Sequence, residues 1–164
     1  MEKNSNLNYN EVNARLKDWL VNFVEVEHPS LGGWAPCPYA RQARLNNKIF
    51  VVIDDPTQIS NHLDKLDHYE VVIVCFDAVE YPAEQISKFV LHINSLLEEQ
   101  DAIVLEDHPD LVEHINGVPM NFGYCGLLIM QRASKLKTAS EQLKRAGYYD
   151  VWSEQELAEV VNWR

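Results

Sequence analysis

The sequence predicts an α/β fold: one mixed, mainly parallel four-stranded sheet flanked by helices. Two observations carry this. Apolar runs recur at Ile49-Phe50-Val51-Val52-Ile53, Val71-Val72-Ile73-Val74-Cys75-Phe76, Ala102-Ile103-Val104-Leu105 and Gly126-Leu127-Leu128-Ile129-Met130. Most of the segments around them return an apolar residue every three or four positions. Continuous apolar runs suit strands buried on both faces, and successive strand–helix–strand units favour parallel pairing with right-handed crossovers. The 164 residues, 46% of them hydrophobic, suffice for one core, so residues 1–164 are read as a single domain whose polar residues 1–7 fray.

The elements follow in chain order. Val12, Leu16, Trp19, Leu20 and Phe23 mark one face of an amphipathic helix that should pack on the sheet. Pro38 is suited to the first position of a short helix through Tyr39 to Leu45. The run in residues 48–54 is a strand, and Asp54-Asp55-Pro56 starts a helix carrying Ile59, Leu63 and Leu66. Residues 70–77 repeat the pattern, and Pro82 opens a helix with Ile86, Phe89, Val90, Ile93 and Leu97 on one side. Residues 102–106 and 126–131 are the third and fourth strands; no helix pattern separates them, so the fourth is free to run antiparallel. Ser134 is placed to cap a helix ending at Gly147, and Ser153-Glu154-Gln155-Glu156 fits a capping box for a last helix.

Charge and cysteine count limit the function. With 14 basic and 25 acidic residues the net charge is −11, which argues against general nucleic-acid or anionic-membrane binding. No apolar run has the length of a membrane span, and Met1-Glu2-Lys3-Asn4-Ser5-Asn6 contains no signal-peptide core, so a cytoplasmic location is expected. Three cysteines without CxxC spacing do not form a disulfide framework or a zinc knuckle.

Chemistry concentrates in Gly32-Gly33-Trp34-Ala35-Pro36-Cys37-Pro38-Tyr39-Ala40-Arg41. A thiol between two prolines, at the start of a helix and followed by Arg41, Arg44 and Lys48 without an acid, is set up for a lowered pKa. Cys75 lies within an apolar strand and belongs to the core, and Cys125 is an isolated thiol. At the carboxyl end of the third strand, where ligands gather in open α/β sheets, Glu106-Asp107-His108-Pro109 offers an imidazole that Asp107 would orient for proton transfer. Glu106, His108 and His114, with Asp107 and Glu113 nearby, form an alternative His/carboxylate metal set. Each has a plainer reading: a cysteine packed in a turn, a loop histidine, arginines paired on an acidic surface, solvated carboxylates.

Cys37-Pro38-Tyr39-Ala40, followed by strand–helix units and Asp107-His108-Pro109-Asp110, resembles a small uncharacterised family of bacterial proteins. That family has a Leu-Cys-Pro-Phe-Ala motif after a Trp-bearing helix, here the helix of Trp19, and a later Phe-His-Pro-x-Tyr motif. The resemblance spans roughly residues 12 to 150, with Asp107 at the position of the family's Phe and Leu111 at that of its aromatic. It implies a paired Cys37–His108 site without naming a reaction. Cys37-Pro38-Tyr39 also resembles the start of the glutaredoxin Cys-Pro-Tyr-Cys motif, with Ala40 in place of the second cysteine and Gly117-Val118-Pro119 similar to that fold's cis-proline turn.

The leading reading is a small enzyme with a thiol-centred pocket for a small anionic substrate, as a cysteine-dependent transferase, hydrolase or thiol-redox enzyme. Cys37 is nucleophile or redox centre, His108 the proton-transfer partner and Asp107 its orienter; Arg41, Arg44, Tyr39 and Arg132 hold the substrate. No cofactor motif is present, and a divalent metal or glutathione is the co-reactant these residues would accept. The alternatives are a non-enzymatic protein-binding or regulatory module and a metal-dependent enzyme. The aromatic stretch Gly147-Tyr148-Tyr149-Asp150-Val151-Trp152 either packs down or mediates self-association.

Overall fold

The computed structural model describes residues 6–164, so the fraying expected of residues 1–5 lies outside the described residues, while Leu7 packs on the core. Helix α1 (Tyr9–Trp19) starts where the Asn8 side chain accepts from the Glu11 amide at 3.1 Å, and it buries Val12 and Leu16. A π-helical turn over Leu20–Val24 extends that apolar face. Helix α2 (Ala40–Leu45) begins later than Pro38, with Tyr39 as its cap residue.

Strand β1 (Ile49–Ile53) leads into a 3-10 helix, Pro56–Asp67, whose Asp55 cap accepts from the Thr57 amide at 2.9 Å. Strand β2 (Val71–Phe76), helix α3 (Ala83–Leu97) and strand β3 (Ala102–Asp107) follow. A hairpin of β4 (His114–Ile115) and β5 (Val118–Pro119) turns on Asn116 and Gly117, both at positive φ as a tight two-residue turn requires. Strand β6 (Gly126–Arg132) runs into α4 (Ala133–Ala146), and α5 (Glu154–Val160) opens on a complete Ser153–Glu156 capping box. Ser134 is not the cap of α4. Its amide and hydroxyl both donate to Asp101, at 2.7 and 2.5 Å, so the residue preceding β3 holds the start of α4.

The sheet order is β1-β2-β6-β3, which corrects the mainly parallel sheet. β1 and β2 pair in parallel, but β6 lies between β2 and β3 and is antiparallel to both. Strands β1, β2 and β3 do share a direction, as their helical crossovers require. However, α3 carries the chain past the slot beside β2, and β6 returns into it without a crossover helix. Its apolar residues on both faces favour that central position, whereas every residue of β1 is only half-buried.

Two apolar layers cover the sheet. On one face α3 and the 3-10 helix enclose Val72, Val74, Phe76, Val104, Leu128 and Met130. On the other, α1 and its π turn cover Ile73, Cys75 and Leu127. A smaller cluster of Leu31, Ile115 and Val118 joins the β4–β5 hairpin to Trp152 and Val160. Among the described residues no helix is long and apolar enough to cross a membrane.

Candidate functional site

Strand alternation decides which of the expected site residues meet. In β3, Val104 faces the α3 layer, so Glu106 and His108 do too, while Asp107 faces the α1 side. Glu106 accepts from the Ser87 hydroxyl at 2.9 Å, and burial pushes its pKa up. His108 is 1% exposed and packs 6.1 Å from the Phe76 ring. The Asp107 carboxylate accepts from the Asn121 side chain at 3.1 Å and the Phe122 amide at 3.2 Å; burial raises its pKa although both bonds lower it. Asp107 therefore does not orient His108, because a strand sends consecutive side chains to opposite faces.

Cys37 is exposed, and its amide donates to the Val24 carbonyl in the α1 layer at 3.1 Å. The sheet lies between it and His108, so the two do not form a dyad. The residue is exposed, but its thiol sits in a crowded corner, and that crowding pushes its pKa up. The Tyr39 and Ala40 amides bond to the sulfur and lower its pKa, as a helix start should, and Arg164 acts in the same direction. Desolvation outweighs them, which corrects the expected activated thiolate. Cys75 and Cys125 are buried, and a thiol–thiol hydrogen bond between them is the largest cause of the raised Cys75 pKa.

Three of the four expected anion holders have other partners. Arg44 grips Glu25 with two bonds of 2.7 and 2.8 Å, and the Glu25 side chain is 5% exposed. This arrangement neutralises a buried carboxylate and occupies the guanidinium fork. Arg132 is bonded to Asp67 at 2.9 Å and the Gln100 carbonyl at 3.0 Å, and Tyr39 donates to Gln142 at 3.2 Å. Arg41 is exposed and makes no ion pair among the described residues. His114 is exposed in β4, and no cluster of three His, Cys, Asp or Glu residues fit for a metal occurs among the described residues, so Glu106, His108 and His114 do not form the alternative centre. Val118-Pro119 is a trans pair in a hairpin strand, which removes the glutaredoxin-like turn.

Asp54 accepts from the Asp55 amide and pairs with His62 Nε2, both at 2.8 Å, and Asp77 accepts from the Val79 amide at 2.9 Å. These carboxylates serve local turns.

A groove of about 370 Å³ lies instead beside β3, between α4 and α5. Ala133, Leu136, Lys137, Ser140, Glu141 and Lys144 recur at helical spacing along one wall. Leu157, Val161, Asn162 and Arg164 form the other, with Ile103 and Tyr149 completing the lining. Neither α4 nor α5 has a fully buried residue, so the apolar stripes of both helices remain partly open there. Tyr148 donates to the Pro36 carbonyl and stacks edge-on with Trp34 at 5.8 Å, which ties the Cys37 turn to this end of the molecule. That contact also packs the start of the aromatic segment against the rest of the chain, with Tyr148 and Tyr149 buried.

Arg164 supplies a positive field to Cys37, Tyr148 and Glu113, whose pKa burial and the charges of Asp107, Glu159 and Glu106 push up. Its Nε is buried without a hydrogen-bond partner; the other such side-chain atom among the described residues is Oε1 of Gln131, the register partner of Ile103. Nothing in the sequence singled out this groove; the available signal was the i+3/i+4 spacing of Lys137 and Lys144 with Ala133, Leu136 and Ser140. No protein family, curated protein or solved structure matches the chain.

Proposed function

We propose that this chain is a non-enzymatic binding module whose α4–α5 groove takes a small amphiphilic anion. The observation that carries this reading is the groove lining: Ile103, Leu136, Tyr149, Leu157 and Val161 offer apolar surface, while Lys137, Lys144 and Arg164 outnumber Glu141 on a chain of net charge −11. An apolar body would lie along the helices, and a carboxylate or phosphate would meet the cations. The volume falls within the range of about 300–1,000 Å³ typical of small-molecule sites. Buried Arg164 Nε, an unused donor, supports a hydrogen-bonding partner there. The reading retains a small anionic ligand and the cytoplasmic location expected from the sequence. It is preferred to a thiol enzyme because Cys37 and His108 lie on opposite sides of the sheet.

Calorimetry and amide chemical-shift mapping with octanoate and phenylacetate, each beside its neutral primary amide, test it. The carboxylates should bind about tenfold more tightly than the amides or better, a difference of roughly 1.4 kcal/mol. Shifts should centre on residues 136–144 and 157–164, and Lys144→Gln with Arg164→Gln should remove the preference. Equal affinity for acid and amide, or shifts elsewhere, would overturn the reading.

A further inference from the structure

The two edges of the sheet are treated differently. At β3, the Asn94 side chain donates to the Val104 carbonyl at 2.9 Å and accepts from the Val104 amide at 2.8 Å, so α3 satisfies the middle of that edge. At β1, the Lys48 carbonyl accepts from the Glu70 and Val71 amides, and the Asp54 amide donates to the Cys75 carbonyl. Even-numbered residues thus bond inward to β2, and parallel-ladder geometry turns the N–H and C=O groups of Ile49, Val51 and Ile53 outward. These groups have no hydrogen-bond partner among the described residues. The edge is apolar, half-buried on both faces, and contains neither proline nor charge within Ile49–Ile53.

We propose that β1 pairs with β1 of a second copy of this chain, antiparallel about a two-fold axis at Val51, making one continuous sheet across a homodimer. This register is the one that uses every outward group. Ile49 exchanges bonds with the partner's Ile53, Val51 with the partner's Val51, and Ile53 with the partner's Ile49. Phe50 then lies opposite the partner's Val52, an aromatic–β-branched pair on the α3 side. The same register sets Lys48 opposite the partner's Asp54 at both ends, so the strand is complementary to itself in charge as well as in hydrogen bonding. Lys48 is exposed and Asp54 is 37% exposed in its side chain, leaving both accessible despite their bonds to His68 and His62. Such self-complementarity is what an isologous interface requires. A foreign extended peptide would use the hydrogen bonds but would not need the Lys48–Asp54 symmetry.

Sedimentation velocity over a concentration series, with residue-resolved amide exchange on the same samples, tests the proposal. A species of twice the chain mass is expected. As it forms, the amides of Ile49, Val51 and Ile53 should gain protection, while those of Phe50 and Val52, already bonded to β2, should change little. Val51→Pro removes an amide that bonds nothing within the chain and should leave a monomer. Lys48→Glu and Asp54→Lys should each weaken the dimer about tenfold, and the double exchange should restore it even if Val51→Pro does not fold. A monomer at every concentration, a dimer in which those three amides exchange freely, or charge variants that leave association unchanged would overturn the proposal.

Discussion

The imidazole of His108 is held at both nitrogens by backbone: Nε2 meets the Tyr81 carbonyl at 2.8 Å and Nδ1 meets the Asp110 amide at 3.1 Å. A carbonyl can only accept and an amide can only donate, so the ring is fixed as the neutral Nε2–H tautomer. The histidine ties the end of β3 to the segment preceding α3 and has no free nitrogen for proton transfer. His108→Ala should destabilise the protein by about 2–4 kcal/mol, through a cavity beside Phe76 and the loss of the ring's hydrogen bonds to the backbone. Urea unfolding measures this, and a loss under about 1 kcal/mol would contradict the assignment.

Gly126 makes room for a ring. A Cβ at this position would lie 2.1 Å from the Phe76 ring, and Phe76 is 1% exposed, so neither group can yield freely. Gly126→Ala should cost about 1–3 kcal/mol or more. Adding Phe76→Leu should recover part of that loss, giving a combined effect smaller than the sum of the two substitutions. Additive losses in chemical denaturation would count against this contact.

Cys37 should be the first thiol labelled and still a slow one. Exposure favours it over buried Cys75 and Cys125, while crowding raises its pKa and keeps it protonated at neutral pH. A pH series of iodoacetamide labelling, mapped by mass spectrometry, should show a Cys37 midpoint above the free-thiol value of about 8.5. The other two should react only after unfolding. A midpoint below the free-thiol value would restore the activated thiolate.

Asp107 should leave a signature in the pH dependence of stability. Its folded pKa is raised above the ordinary 3.8, so the native state binds more protons than the unfolded chain between those values. This contribution to stability therefore falls as pH rises through that window and is level above it. Asp107→Asn should remove that slope, and the stability of the variant relative to the natural chain should rise from about pH 4 upward before levelling. Unfolding free energies measured across that range check it, and a constant difference would show that burial does not perturb Asp107.

What the sequence determined by itself were the four strands, the helices and much of the core, because these depend on periodicity within short windows. Val12 to Phe23, the apolar runs at residues 49–53 and 71–76, and the Ser153 capping box all carry their structural instruction locally. Strand order was not local. The slot for β6 between β2 and β3 exists because α3 passes over it, and two-sided apolar character placed β6 there. The candidate site depended still more on tertiary structure. Cys37, His108, Arg44 and Arg132 suit the expected chemistry, yet strand alternation put His108 on the far face, and Glu25 and Asp67, distant in sequence, engaged the arginines. Only packing brought Lys137, Lys144, Leu157 and Arg164 around one groove, because two half-covered helices share a concave surface that neither encodes alone.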